Sequence, residues 1–314
     1  MIVCCGEALI DFMPISVDGA VAFRPFPGGS PFNVAIGLGR LQVPTGFLGR
    51  VSTDFFGDLL IDTLARNHVA QDYVRRAADP TTLGFVSHPQ EGEPQYAFYC
   101  NGAADRLIAP GDLPQALDGE VACLHFSLGA ITLMVEPAAT AYETLMQREA
   151  GRRVLAFDPN IRAGMIPDRE AYRRRLERWV ALSDLVKVSR ADLDWLYPGR
   201  DLDEAASAWC KLGPKLVVVT LGADGALALA GPHRVAVPGR KVRIADTVGA
   251  GDSFHAALLA GLHDAGLLER SRLGAISDAD LRGLLGRAVA AAAITCSRPG
   301  ANPPTKAELD AFAL

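Results

Sequence analysis

Residues 245–259 read Ala245-Asp246-Thr247-Val248-Gly249-Ala250-Gly251-Asp252-Ser253-Phe254-His255-Ala256-Ala257-Leu258-Leu259. A short polar segment turns through two glycines, presents one carboxylate and runs into an apolar helix. Gly249 and Gly251 carry no Cβ, so backbone N–H groups there can come close to a ligand. The helix that follows opens with unpaired N–H groups and a positive dipole end, which together favour a phosphate. Asp252 puts a negative charge at that same end. In an ordinary helix such an aspartate is a cap; beside a transferring phosphoryl group it is a general base. The flanking chain has to decide between the two.

Upstream lies a regular alternation. Leu124-His125-Phe126 predicts a strand, Glu136 to Glu149 a helix, and Val154 to Phe157 a strand ending at Asp158-Pro159-Asn160. Arg169 to Leu182 and Asp203 to Leu212 predict helices around the strands Leu185 to Val188 and Leu216 to Thr220. Apolar strands without polar alternation, separated by helices, indicate an α/β fold with a mostly parallel sheet covered on both faces. Nearer the start, Ile2 to Ile10 predicts one buried strand ending at Asp11, Phe47 to Val51 a second strand, and Asp58 to Val69 a helix. In Gly28-Gly29-Ser30-Pro31-Phe32-Asn33-Val34-Ala35, Ser30 suits an N-cap and Pro31 the first helical position of a helix to Leu41. Leu281 to Thr295 predicts a closing helix.

One region breaks the rhythm. Thr82 to Tyr99 alternates like an exposed hairpin around the turn Gln90-Glu91-Gly92-Glu93. With the segment before Gly28 it predicts a small sheet outside the main layer, its strands at about 12–27 and 82–102, placed as a lid over a ligand site. Without a linker or internal repeat, residues 1–314 read as a single domain carrying that lid.

Of the 314 residues 49% are hydrophobic and 21% charged, the composition of a globular protein, and the net charge of -5 gives no footprint for nucleic acid or an acidic membrane. The run Arg173-Arg174-Arg175 sits between Glu170 and Glu177 and reads as a solvated helix face. No apolar run reaches a membrane span. The start lacks a basic export region, and the six cysteines show no C-x-x-C pair, so reduced thiols and a cytoplasmic location are expected.

In doubly wound folds ligands bind at the carboxyl ends of the strands. Asp11, Asp158, Asn160 and Thr220 all stand at predicted strand ends. A Walker-type loop is absent, and Gly6-Glu7-Ala8-Leu9 lacks the glycines of a dinucleotide fingerprint, which excludes a Rossmann cofactor turn. What remains is an anion cradle late in the chain, preceded by a T-x-G-x-x-G turn, Thr220-Leu221-Gly222-Ala223-Asp224-Gly225.

Asp246 to Phe254 resembles the carboxyl-terminal signature of the ribokinase-like (PfkB-type) sugar kinases, and Gly28 to Ala35 resembles the amino-terminal glycine motif of that family. The resemblance extends over essentially the whole chain, to the tail Arg298-Pro299-Gly300-Ala301-Asn302-Pro303-Pro304. It implies that Asp252 takes a proton from the sugar hydroxyl that attacks ATP, while the N–H groups of Gly249, Ala250 and Gly251 stabilise the transferring group. It also implies that Asp11 accepts sugar hydroxyls, as an ionised carboxylate can, and that Gly28, Gly29 and Asn33 line the sugar pocket. Lys187, Ser189, Thr220, Gly222 and Gly225 then fall on the nucleotide side. Mg²⁺ would arrive with ATP. K⁺ as an activator would be held by Asp246, the Val248 backbone and carbonyls near Gly300. Many relatives carry N-x-x-E where this chain has Ser189-Arg190-Ala191-Asp192; Asp192 reaches Mg²⁺ through water, or the two residues simply begin a helix.

Within the family the chain is most similar to bacterial fructokinases, on Tyr96-Ala97-Phe98-Tyr99, Ala103-Ala104-Asp105-Arg106 and Ser253 to Leu258. That implies ATP-dependent phosphorylation of D-fructose to fructose 6-phosphate, with Phe98 and Arg106 on the substrate. A 2-keto-3-deoxygluconate kinase is the alternative, because Asp158 to Arg162 matches a D-x-N-x-R element whose Arg162 can meet a substrate carboxylate beside Asn160. A non-catalytic sugar or nucleotide sensor is the alternative of another class. The free edges of the lid strands suit a homodimer.

Overall fold

A computed structural model describes residues 1–87, 95–127 and 134–313 of the chain. The chain opens with β1 (Ile2–Gly6), β2 (Leu9–Val17) and β3 (Ala20–Gly28), followed by the helix Ser30–Arg40. Then come β4 (Thr45–Ser52), the helix Phe55–Arg66, β5 (Val69–Ala70), β6 (Val74–Ala77), β7 (Thr82–Ser87) and β8 (Gln95–Tyr99). The strands β9 (Cys123–Ser127), β10 (Val154–Asp158), β11 (Leu185–Ser189) and β12 (Leu216–Thr220) alternate with helices that include Ala138–Glu149, Arg169–Leu182 and Leu202–Leu212. After β13 (Ala226–Ala230) and β14 (His233–Val237) the helices Ala250–Asp264 and Asp278–Cys296 close the fold.

The main sheet runs in the order β14-β13-β12-β11-β10-β9-β1-β4-β5, with β6 also on β4. From β12 across to β5 and β6 every pair is parallel. Successive side chains of β1 go to opposite faces: Ile2 and Cys4 join one core with the helices Ser30–Arg40, Ala250–Asp264 and Asp278–Cys296. Val3 and Cys5 join the other, with Tyr142, Trp179 and Trp209. Both tryptophans are about fully buried, and large apolar side chains contribute ~1.5–3 kcal/mol each on burial. An α/β sandwich with the sheet covered on both sides is therefore what the alternation predicted.

The second sheet, in the order β3-β2-β7-β8, is the small sheet expected outside the main layer. Its first strand begins earlier than the sequence suggested, at Leu9, whereas β7 begins at Thr82 as expected; the predicted turn at 90–93 lies outside the described residues. Phe12 stacks on Phe85 at 4.6 Å, with Phe23 and Tyr99 edge-on to Phe85, on one face. Leu9, Asp11 and Met13 alternate onto the other.

Three expectations need correction. The stretch from Ile2 to Ile10 is two strands in two sheets, because the chain leaves the main sheet at Gly6 and re-enters pairing at Leu9. Asp11 consequently belongs to the lid sheet, not to the end of a main-sheet strand. A run of buried apolar residues hides such a break, since both halves are buried. Ser30 is not the N-cap of its helix: Gly29, at φ +104°, takes that position and Ser30 is already helical. The antiparallel edge formed by β13 and β14 had no counterpart among the predicted strands; the Thr220–Gly225 turn reverses the chain into it.

Candidate active site

Parallel register aligns the strand ends that matter. Gly6 pairs with Ser127 and Ser127 with Asp158, while Ser189 pairs with Thr220 one step along the same edge. The Ala250–Asp264 helix points its amino terminus at this edge. Between the edge and the lid is a cavity of about 720 Å³, walled by Leu9, Asp11 and Met13 of β2, Val86 and Phe98 of the hairpin, and residues 160–165 after β10. Gly29, Ser30, Asn33, Lys187, Gly249, Gly251 and Asp252 line it as well.

Asp252 is held by groups more than two hundred residues away in sequence. Ser30 Oγ donates to its Oδ1 at 2.6 Å, and Asn33 Nδ2 donates to its Oδ2 at 2.8 Å. Ser127 Oγ donates in turn to Ser30 Oγ at 2.6 Å. Burial raises the Asp252 carboxyl above the ordinary aspartate range, opposed by the Ser30 and Asn33 donors and by the Lys187 charge. Each of its oxygens, with one donor on it, keeps further acceptor capacity, and Asp252 lines the cavity. Gly249 precedes the helix in the left-handed region at φ +74°, and a Cβ on it would stand 2.6 Å from that of Ala301. Ala250 N–H bonds Thr247 O at 3.3 Å. The anion-facing donors are therefore better sought at Gly251 and Asp252, first-turn N–H groups that lack an intrahelical partner.

Asp11 faces the cavity from the lid. Its room is made by two glycines: a Cβ on Gly28 would meet Asp11 Oδ2 at 2.7 Å, and one on Gly84 would meet Oδ1 at 2.8 Å. Burial pushes the Asp11 carboxyl up to about 6; Arg162 opposes this and the Asp252 charge adds to it. Arg162, exposed on the loop after β10, is steadied by Asn160 Oδ1 at 2.8 Å.

Behind the signature turn lies a buried ion pair. Lys187 Nζ donates to Asp158 Oδ2 at 2.8 Å, with both side chains almost wholly enclosed. Burial, the largest single influence, would raise the Asp158 carboxyl, but the Lys187 ammonium and His255 together outweigh it and hold the group below the carboxylate range. Burial would likewise lower Lys187, yet Asp158 raises it, so the ammonium stays charged. A Cβ on Gly251 would sit 3.1 Å from Lys187 Nζ, which puts this cation against the phosphate-type turn.

The remaining residues lie along the edge rather than in the cavity. Ser189 and Asp192 form a capping box: Ser189 Oγ accepts from Asp192 N at 3.0 Å, and Asp192 Oδ2 accepts from Ser189 N at 3.4 Å. Thr220 and the Gly222–Asp224 turn stand beside them at the end of β12. Asp246 accepts from Val248 N at 3.0 Å and from Gly300 N at 2.8 Å, tying the signature loop to the tail. The Gly300 carbonyl is itself taken by Asn302 N–H at 2.8 Å. These are hard oxygen ligands, and each of the three already accepts one backbone N–H.

Comparison with known proteins bears on this geometry. The family model described as pfkB family carbohydrate kinase matches residues 1–308. The chain belongs to the pfkB carbohydrate kinases. A fructokinase of Rhizobium leguminosarum bv. trifolii is 42% identical over 283 residues, covering 90% of this chain and 86% of the relative. Fructokinase-2 of Solanum habrochaites is 35% identical over 319 residues, covering 98% and 94%. Among solved structures, fructokinase with bound ATP from Xylella fastidiosa superposes with a TM-score of 0.88 at 27% identity, covering 99% of this chain and 97% of that one. A fructokinase double mutant from Vibrio cholerae O395 in a fructose, ADP and potassium ion bound form superposes with a TM-score of 0.86 at 28% identity, covering 100% and 98%.

Of the residues singled out in this pfkB kinase from sequence, Asp11, Gly29, Asn33, Phe98, Asn160, Arg162, Lys187, Val248, Gly249, Gly251 and Asp252 share the cavity wall, and Gly28 borders it by crowding Asp11. Arg106, which ends the short turn Ala104–Arg106, is not among the residues that line the cavity. Sequence reasoning passed over Ser127, Gly84, Glu7 and the use of Ser30. Gly84 carried a signal, since a glycine inside a strand pattern marks a close approach. The contacts of Ser30 and Ser127 carried none, because their partner is distant in the chain.

Proposed function

We propose that this pfkB kinase is a fructokinase, transferring the γ-phosphoryl group of ATP to the primary hydroxyl of D-fructose and releasing fructose 6-phosphate and ADP. The observation that carries this is one cavity holding Asp252 at a helix amino terminus opposite Asp11 on the lid; the fructokinase relatives support the choice of sugar. Residues 1–314 act as one kinase unit with the lid sheet over the sugar.

In this mechanism Asp11 accepts sugar hydroxyls, and Gly28, Gly29 and Phe98 shape the pocket around them. Asp252, aimed by Ser30 and Asn33, accepts the proton of the attacking hydroxyl as its oxygen bonds to phosphorus and the bond to ADP breaks. A carboxylate is a weak base, but proton loss accompanies bond formation, so position outweighs basicity. The signature turn and Lys187 hold the charge on the transferring group. Thr220, Gly222 and Gly225 border the nucleotide. Mg²⁺, when bound with ATP, neutralises charge between the phosphates; Asp192, pushed up by burial, would order its water. Asp246, with the backbone near Val248 and Gly300, would hold K⁺. Six free thiols suit the cytoplasm, and the lid edges suit a homodimer.

A second reading rests on Arg162, a cavity-wall cation that a 2-keto-3-deoxygluconate carboxylate could meet. A coupled ADP-release assay with fructose, 2-keto-3-deoxygluconate, ribose and adenosine separates these. Fructose is expected to give the highest kcat/KM, and Asp252→Ala to lower kcat on the order of 10²–10⁴-fold while still folding. Near-wild-type turnover in that variant overturns the mechanism, and turnover on none of the four substrates restores a sensor.

A further inference from the structure

His125 of β9 and His255 of the Ala250–Asp264 helix are completely buried, with ring centroids 4.4 Å apart and planes inclined at 64°. None of their four ring nitrogens has a hydrogen-bond partner among the described residues. Burial keeps both imidazoles in the uncharged form. Such a ring has one N–H to satisfy, and leaving it unmet in the interior is unfavourable. The neighbours of His255 on its helix are Phe254, Ala256, Ala257 and Leu258, all buried, so an apolar residue would fill this position without that cost. An imidazole at this depth calls for a polar reason.

That reason lies one layer toward the site. His255 Nδ1 is 3.9 Å from Asp158 Oδ2, about 1 Å beyond hydrogen-bond distance. The ionisable groups around His255 are His125, Asp158, Lys187 and Asp252, and Asp158 is the buried acceptor with which it is paired. The other contacts of Asp158 are the Lys187 ammonium on Oδ2 and the Asn160 N–H on Oδ1, at 3.1 Å. The order from the core outward is thus His125, His255, Asp158, Lys187, and then the signature turn at Gly251.

We propose that His255 is a positioning residue for phosphoryl transfer: its Nδ1–H, with the ring backed by His125, steadies the Asp158 carboxylate and so sets the Lys187 ammonium against the signature turn. This rests on the kinase mechanism above, in which Lys187 meets the transferring group. The ammonium then favours ATP over ADP, because the γ-phosphate is the part of the nucleotide that reaches it. His255 itself touches neither substrate.

Asparagine can place a donor where Nδ1 stands, whereas glutamine places one near the Nε2 position. Both bury a neutral amide, so a merely structural role would not separate them. The experiment compares His255→Asn and His255→Gln by steady-state kinetics and by calorimetric Kd values for ATP and ADP. His255→Gln is expected to lower kcat on the order of 10–10²-fold, with a matching fall in the ATP-to-ADP affinity ratio and the fructose KM within about twofold. His255→Asn is expected to stay within about threefold of the wild type in both measures. Equal behaviour of the two variants, or wild-type values in His255→Gln, overturns the proposal. Should neither fold, His255→Phe replaces them: wild-type kcat and affinity ratio overturn the proposal, and loss of both at constant fructose KM supports it. The affinity ratio needs no sugar, so it tests His255 even if fructose proves to be the wrong substrate.

Discussion

Asp11 and Asp252 are both aspartates in one cavity, and their surroundings give them different tasks. Asp252 is ringed by donors that orient it. Asp11 has space cleared for it by two glycines, and burial, with the Asp252 charge adding and Arg162 opposing, pushes it up to about 6. In the proposed sugar-binding role it acts as the ionised carboxylate, which can accept hydroxyls on both oxygens. The fructose KM is therefore expected to rise as pH falls through about 6, approaching a factor of ten per pH unit below it; Asp11→Asn should flatten that limb and raise KM at pH 8. The stability sign is the opposite. A folded-state pKa above the unfolded value of about 3.9 means that the folded chain binds this proton more tightly. Ionising Asp11 thus destabilises the fold, with the penalty growing between about pH 4 and 6 and constant above. Asp11→Asn should raise Tm at pH 8 and leave it unchanged at pH 4. A fructose KM independent of pH from 5 to 8 would remove Asp11 from the sugar site.

At the scale of elements, the signature turn uses its two glycines for different reasons. Gly249 stands at φ +74° with Ala301 against it. A side chain there costs ~1–2 kcal/mol in backbone strain alone and also pushes the tail away from the loop. Gly251 has ordinary helical backbone, and the obstacle to a side chain is the Lys187 ammonium. Gly249→Ala is accordingly expected to lower both Tm and kcat. Gly251→Ala should keep Tm and lower kcat by about tenfold or more through displacement of Lys187. Thermal unfolding and ADP release on both variants check this; equal loss of Tm would refute the distinction. The helix start at Gly29 teaches a related lesson. Serine followed by proline is a sound capping signal, yet here the Ser30 hydroxyl bonds Asp252, and the glycine before it takes the strained position.

For the whole molecule, the lid leaves apolar side chains uncovered: Val21 is 76% exposed and Tyr99 66%, with Phe23, Ile15 and Val17 also open. They lie on or beside β3 and β8, the edge strands of this sheet among the described residues. Edges of this kind invite a second copy. The double substitution Val21→Glu with Phe23→Glu is expected to turn a dimer into a monomer by light scattering and to raise the fructose KM, since both lie on the lid and outside the cavity wall. A wild-type protein that runs as a monomer at assay concentration would refute the lid interface.

The parallel sheet with helices on both faces was legible because each strand announces itself locally. A β-branched run such as Leu216 to Thr220 can be covered on two sides in few other ways. The phosphate-type turn at Gly249 to Asp252 was legible too, since glycines, carboxylate and apolar helix are contiguous there. The lid was visible as a break in rhythm, but the sheet to which Asp11 belongs was not, because residues 2–10 are buried on either side of the break. Tertiary structure alone brings Ser30 and Asn33 to Asp252 and Ser127 to Ser30, clears space for Asp11 with Gly84, and lines up His255, Asp158 and Lys187 behind the turn. The physical reason is range. Strand, helix and turn propensities act within a few residues, whereas the orientation and charge of these side chains depend on partners that only chain folding makes neighbours.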